Sequence, residues 1–353
     1  MAAAKTSITQ GHFGITTLGE EVKSFTLRAG DMEAKIITLG ATVTELHVPD
    51  ANGRAADVVL GYKSLASYES CNAHVGCIVG RVANRIAGSS FVLDGITYPL
   101  SPNIGVDHLH GGAQGFHRMV WRSEVLEDGR LRLAHTSRDG DSGYPGTLEV
   151  HVTYTLTSSC LSIDIQATTD APTPVNLASH GYFNLSGSTS QASVLGHELE
   201  VLSADLVFTS DQLLPTGSIR PVEGTALNFL KPLPIGTNIA ELQKQPHGGY
   251  DHSYALHDQP SRPLQIAARL SDPISGRTME LATTQPCLQV YTSNFLDVPH
   301  GGKHGALRRH QAVCLEAQGY PDAVHHPTFP TTILRPGEVY KHRTEHRFRA
   351  SPI

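Results

Sequence analysis

Hydrophobic and polar residues alternate most regularly through residues 148–167. Leu148, Val150, Val152, Tyr154 and Leu156 form one run, and Leu161, Ile163, Ile165 and Ala167 form a second. A period of two places each run on one face of an extended chain, so the pair, joined by Thr157-Ser158-Ser159-Cys160, predicts an antiparallel hairpin. The same pattern recurs near the C-terminus, where Tyr340, His342, Thr344, His346 and Phe348 share one face and Lys341, Arg343, Glu345 and Arg347 the other. That strand has one wet side. Further strands are expected over residues 34–48, broken near Gly40, and over 130–134, 280–283 and 288–292, each bounded by turn-forming residues. Only residues 64–70 and 238–245 suggest helices, both short, and no long stretch keeps a 3.6-residue period. The expected fold class is all-β: a large antiparallel β-sandwich with two packed sheets and few short helices.

Length alone, 353 residues, would suggest about two domains. No Pro/Ser-rich or charged linker interrupts the pattern, so a single domain over 1–353 is expected. Lys and Arg number 27 against 33 Asp and Glu, a net charge of −6. With no block of like charge, nucleic acid and anionic membrane are poor partners. The five cysteines, Cys71, Cys77, Cys160, Cys287 and Cys314, are odd in number and include no CxxC pair. They read as reduced thiols of a cytoplasmic protein. From Lys5 to Glu21 there is no apolar leader, and nowhere do about 18 apolar residues run together.

Twenty histidines leave more room for chemistry than the charges do. His108 and His110, if both lie in a strand, point the same way and could share an ion, but no HExxH, Cys/His ligand pair or carboxylate-rich loop accompanies them. No metal is expected. Phosphate-cradling glycine motifs and a GxSxG elbow are absent too, and Cys314 sits in an apolar run that suggests a buried, inert thiol. What remains is acid–base chemistry by histidine and carboxylate without a cofactor. Val313-Cys314-Leu315-Glu316-Ala317 sets a carboxylate in an apolar strand, where ionisation is costly unless it is paired or meets a ligand. A structural ion pair explains Glu316 equally, and a hydrogen-bonded core histidine explains His180.

Taken together, however, these segments resemble the aldose 1-epimerase (galactose mutarotase) family. The matching stretches run from about Gly11 to Phe348. They include Gly80-Arg81-Val82-Ala83-Asn84-Arg85-Ile86, Leu109-His110-Gly111-Gly112 and His180 with Tyr182, then Gly249-Tyr250-Asp251-His252, Thr284-Gln285-Pro286 and Cys314-Leu315-Glu316. The resemblance implies a β-sandwich whose open face holds a sugar, with no coenzyme. It implies His180 as general acid and Glu316 as general base, with Asn84, Arg85, His110, Asp251 and Gln285 binding and orienting the substrate. Ser179, Gly181, Ser253 and Ala317 depart from residues common in the family, and bear on substrate preference rather than on the named positions.

The implied reaction opens a hemiacetal ring, rotates about C1–C2 and closes on the other carbonyl face. Glu316 would take the C1 hydroxyl proton while cationic His180 supplies one to the ring oxygen. Their mutual field is expected to lower the Glu316 pKa and raise that of His180, against desolvation. Tyr182, Phe183 and Trp121 are candidates to stack on the sugar, with core packing the alternative for the last two. The sequon Asn184-Leu185-Ser186 is expected to carry no glycan. Free aldohexoses such as galactose and glucose are the expected substrates, in a monomer or weak homodimer. A hexose-6-phosphate epimerase would need cations beyond Arg81 and Arg85. A sugar-binding protein without turnover is the remaining alternative.

Overall fold

The computed structural model describes residues 6–70, 72–189 and 191–351, so Cys71 and Lys5 lie outside the described residues. The hairpin comes from the alternation as expected. Strands Leu148–Leu156 and Cys160–Thr169 pair antiparallel, Tyr154 opposite Ile163 and Leu156 opposite Leu161. They lie inside a nine-stranded sheet that also contains the C-terminal strand Tyr340–Ala350. In that strand His342, His346 and Phe348 are buried while Lys341 and Arg343 are exposed, as its alternation predicts.

Two further large sheets complete the architecture among the described residues, where two in all were expected. The first five strands, from Ser7–Ile15 to Ala55–Asp57, form a meander of their own. Its third and fourth strands, Met32–Ile37 and Thr42–Pro49, are separated near Gly40, whose φ of 64° suits a residue without Cβ. A six-stranded sheet carries, in order, Tyr182–Phe183, Val313–Gln318, Cys287–Tyr291, Asp251–Ala255, Asp205–Thr209 and Pro215–Pro221. All strand pairs in these sheets are antiparallel. Two α-helices stand among the described residues, Leu65–Ser70 and Ile239–Leu242; both are short and fall within the expected segments. Among the described residues, no helix is long and apolar enough to cross a membrane.

One buried cluster takes side chains from all three sheets: Phe25 and Leu27, Val150 and Tyr154, Leu288 and Leu315. Burying such a side chain stabilises the fold by about 1.5–3 kcal/mol. Trp121 and Phe183 belong to this cluster, so both pack the core. The six-stranded sheet turns Leu288, Val290, Val313 and Leu315 to the core and, by the period of two, its intervening residues to the opposite face. That face floors the site.

Candidate active site

Strand register sets two parallel rows of side chains on the outer face of the six-stranded sheet. Ser253 lies opposite Gln289, and Gln289 opposite Glu316. In the adjoining row Asp251 lies opposite Tyr291, which lies opposite Cys314, itself opposite Tyr182. Directly opposed side chains on one face are within reach of each other. Ser253 donates to the Gln289 side-chain oxygen, whose amide in turn donates to Asp251. The Asp251 carboxylate is thereby oriented, with the Arg85 guanidinium 3.7 Å away.

Irregular segments supply the walls. Strand Arg85–Ile86 pairs with His108–Leu109, after which the chain turns through His110 at a φ of 51°. Gly111 follows because a Cβ there would lie 1.8 Å from the Gly80 carbonyl oxygen. Asn84 and His110 clasp each other: the His110 N–H donates to the Asn84 carbonyl, and the Asn84 N–H donates to Nδ1 of His110 at 3.1 Å. His180 is held by its own N–H on the Cys77 carbonyl and by the Gly76 N–H on its carbonyl. Asn84, Arg85, His110 and His180, with Glu316 and Tyr182, line an open cavity of about 400 Å³, room for a hexose.

His180 and Glu316 are only 4% and 2% exposed, and Nε2 of the first lies 3.7 Å from Oε2 of the second. Desolvation outweighs their mutual field here, contrary to the sequence expectation. Burial, with a smaller contribution from His74, pushes the His180 pKa down to about 3. Burial also raises Glu316 well above the usual carboxylate range, and the neighbouring Asp251 adds to the shift. Without a ligand to solvate them, the low-dielectric site favours both uncharged forms. Asp251 is raised by burial as well, against the pull of Arg85.

His110, His180 and Glu316 each offer one ligand atom within 4.8 Å of the others, the outline of a two-histidine, one-carboxylate metal centre. The donor set does not fit that role. Because Nδ1 of His110 accepts from the Asn84 N–H, the neutral ring carries its proton on Nε2 and leaves no free lone pair for an ion. In this tautomer His110 is a hydrogen-bond donor at Nε2.

Six of the seven expected site residues meet here: Asn84, Arg85, His110, His180, Asp251 and Glu316. Gln285 does not. It precedes the strand Cys287–Tyr291, and its amide donates to the Leu177 carbonyl and the Tyr340 hydroxyl, away from the cavity. Gln289, four residues on, lines the cavity instead. The phase of the strand would have distinguished them, since Leu288 and Val290 face the core and Gln289 must face outward. Arg81, counted beside Arg85 as a nearby cation, is buried behind the site on the carbonyls of Ser137, Arg138, Pro145 and Gly146. His108 turns away from His110 to the Ser101 carbonyl. His74, Tyr291 and Phe295 also line the cavity; none was named as a site residue, although Tyr291 falls in the strand expected over 288–292, and His74 carried no signal in the sequence pattern.

A buried imidazole and carboxylate at the floor of an open cavity are the arrangement that acid–base chemistry needs. A family model described as aldose 1-epimerase matches residues 23–347. The galactose mutarotase of Sus scrofa is 42% identical over 340 residues, covering 96% of this chain and 97% of that protein. An aldose 1-epimerase of Escherichia coli K12 is 34% identical over 338 residues, covering 94% and 96%. Among solved structures, an aldose epimerase homologue from C. elegans superposes with a TM-score of 0.84 at 28% identity, covering 98% of this chain and all of the other. This chain belongs to the aldose 1-epimerase family, and is an isomerase of the galactose mutarotase-like β-sandwich fold.

Proposed function

We propose that this protein interconverts the α and β anomers of free aldohexoses such as galactose and glucose, with Glu316 as general base and His180 as general acid. The observation that carries the reading is the 3.7 Å separation of Nε2 and Oε2. The two oxygens exchanging protons, O1 and the ring O5, are bonded to the same carbon, so an acid and a base serving both must stand close together. Glu316 takes the proton from O1 while His180 delivers one to O5 as the C1–O5 bond breaks. Rotation about C1–C2 and the reverse transfers close the ring on the other face.

Neutral imidazole with a protonated carboxyl contains the same number of protons as imidazolium with carboxylate. Moving one proton across the pair therefore arms it without exchange with bulk solvent. Sugar hydroxyls that donate to Glu316 and accept from His180 favour the ionised arrangement by replacing the lost water. General acid–base catalysis of this kind contributes about 10²–10⁴-fold. Arg85 and Asp251 are suited to donate to and accept from ring hydroxyls, Asn84 and Gln289 to do either, and the Nε2–H of His110 to donate.

Unphosphorylated sugar is favoured because Arg85 is the sole Arg or Lys among the described residues lining the cavity, and it faces Asp251. The shared core supports one domain over the whole chain. Four free cysteines among the described residues suit a reducing, cytoplasmic setting. We read the protein as a monomer or weak homodimer. Polarimetry with freshly dissolved α-D-galactose and α-D-glucose tests the proposal: equilibration accelerates with the wild-type protein and not with Glu316→Gln. A preference for the 6-phosphates, or binding without any change in optical rotation, would replace it.

A further inference from the structure

We infer that His74 is a positioning residue for the His180 imidazole, acting through ring packing where no hydrogen bond fixes that ring. The inference rests on the acid role proposed for His180. Catalytic imidazoles are commonly aimed by a hydrogen bond at the nitrogen remote from the substrate. His180 lacks this: its Nδ1 is buried without a hydrogen-bond partner among the described residues. Its orientation must come from what touches its faces and edges.

Two rings lie nearly parallel to it, Tyr182 at 5.1 Å and 17° and His74 at 6.0 Å and 22° between planes. Tyr182 is fixed at its far end, where its hydroxyl donates to the Ala73 carbonyl at 2.7 Å. His74 is fixed from behind by His117, ring to ring at 4.4 Å, and touches His110 at 4.8 Å. Among the described residues, it is therefore the ring that packs on the other two cavity histidines, His110 and His180, and on the His117 brace behind them. The backbone supports the same arrangement. Residues 73–77 are joined to 180–182 by the Gly76 N–H on the His180 carbonyl, the His180 N–H on the Cys77 carbonyl and the Tyr182 hydroxyl on Ala73. Within that clasp His74 adopts a left-handed φ of 54°, uncommon for a residue with a side chain, which turns its ring into the cavity wall. Deleting the ring leaves His110 held by the Asn84 N–H, and leaves His180 with Tyr182 on one face and the His110 ring at 5.3 Å but with its support from the His74 side removed.

The test compares His74→Asn, which tolerates a left-handed backbone but has no ring, with His74→Phe, which restores one. Steady-state polarimetry should show kcat lowered about five- to fifty-fold in His74→Asn, with KM within about twofold of wild type. His74→Phe should recover most of the loss. An unchanged kcat in His74→Asn, a rise in KM with kcat retained, or a Phe variant no better than Asn would each overturn the assignment. Melting temperatures accompany every measurement, and His74→Gly, which adopts the left-handed backbone freely, supplies the same ring deletion should the Asn variant fold poorly. Absence of wild-type mutarotation would remove the acid–base reading itself, whereas normal wild-type turnover with an indifferent ring deletion removes only the role of His74.

Discussion

Nε2 of His180 and Oε2 of Glu316 stand 3.7 Å apart in a site that drives both groups toward neutrality. If they act as one acid–base couple, removing either should cost nearly as much as removing both. Glu316→Gln and His180→Asn should each lower kcat by about 10²–10⁴-fold, and the double variant by little more. Polarimetric progress curves check this, with circular dichroism verifying the fold.

The two glutamines separate by function. Gln289→Leu removes the donor that orients Asp251 and should lower kcat/KM at least about tenfold, the scale of one lost hydrogen bond to a charged group. Gln285→Met should leave KM within about twofold while lowering the melting temperature, because its amide serves Leu177 and Tyr340. Equal loss of activity in both variants would contradict the structural placement.

Stability should fall as the solution is acidified from pH 6.5 toward 4. Burial lowers His74, His135, His197, His342 and His346 to about 4 and His252 to about 3, as it does His180. Through that window the unfolded chain binds more protons than the native one, so each such histidine costs up to about 1.4 kcal/mol per pH unit on acidification. The raised carboxyls of Asp251 and Glu316 act in the opposite sense, but they are outnumbered. Urea midpoints measured at pH 7, 6 and 5 should decrease in that order.

Arg81 is 2% exposed and donates through its two terminal nitrogens to four backbone carbonyls and the hydroxyls of Ser137 and Thr173. Arg81→Met should destabilise the fold by about 3–5 kcal/mol by orphaning those acceptors, visible as a lower denaturant midpoint.

Period-two alternation carried the hairpin at residues 148–167 and the C-terminal strand, because each buries one face and wets the other. It could not reveal that the first five strands form a separate sheet, since alternation assigns faces and leaves partners open. Glu316 was legible as a carboxylate inside an apolar strand. His74 was not: it lies in an irregular segment whose importance arises only when residues 73–77 meet 180–182. The direction of the His180 and Glu316 shifts was also hidden, because burial depth decides between desolvation and mutual attraction.

The pairing of Arg85 with Asp251, beside a histidine and a glutamate that burial drives toward their uncharged forms, has an outcome for capture of the ligand. An uncharged sugar approaching this cavity meets balanced opposite signs and gains no long-range pull. Added sodium chloride should therefore leave kcat/KM nearly unaltered, as expected for an encounter governed by diffusion and hydrogen-bond fit rather than by steering.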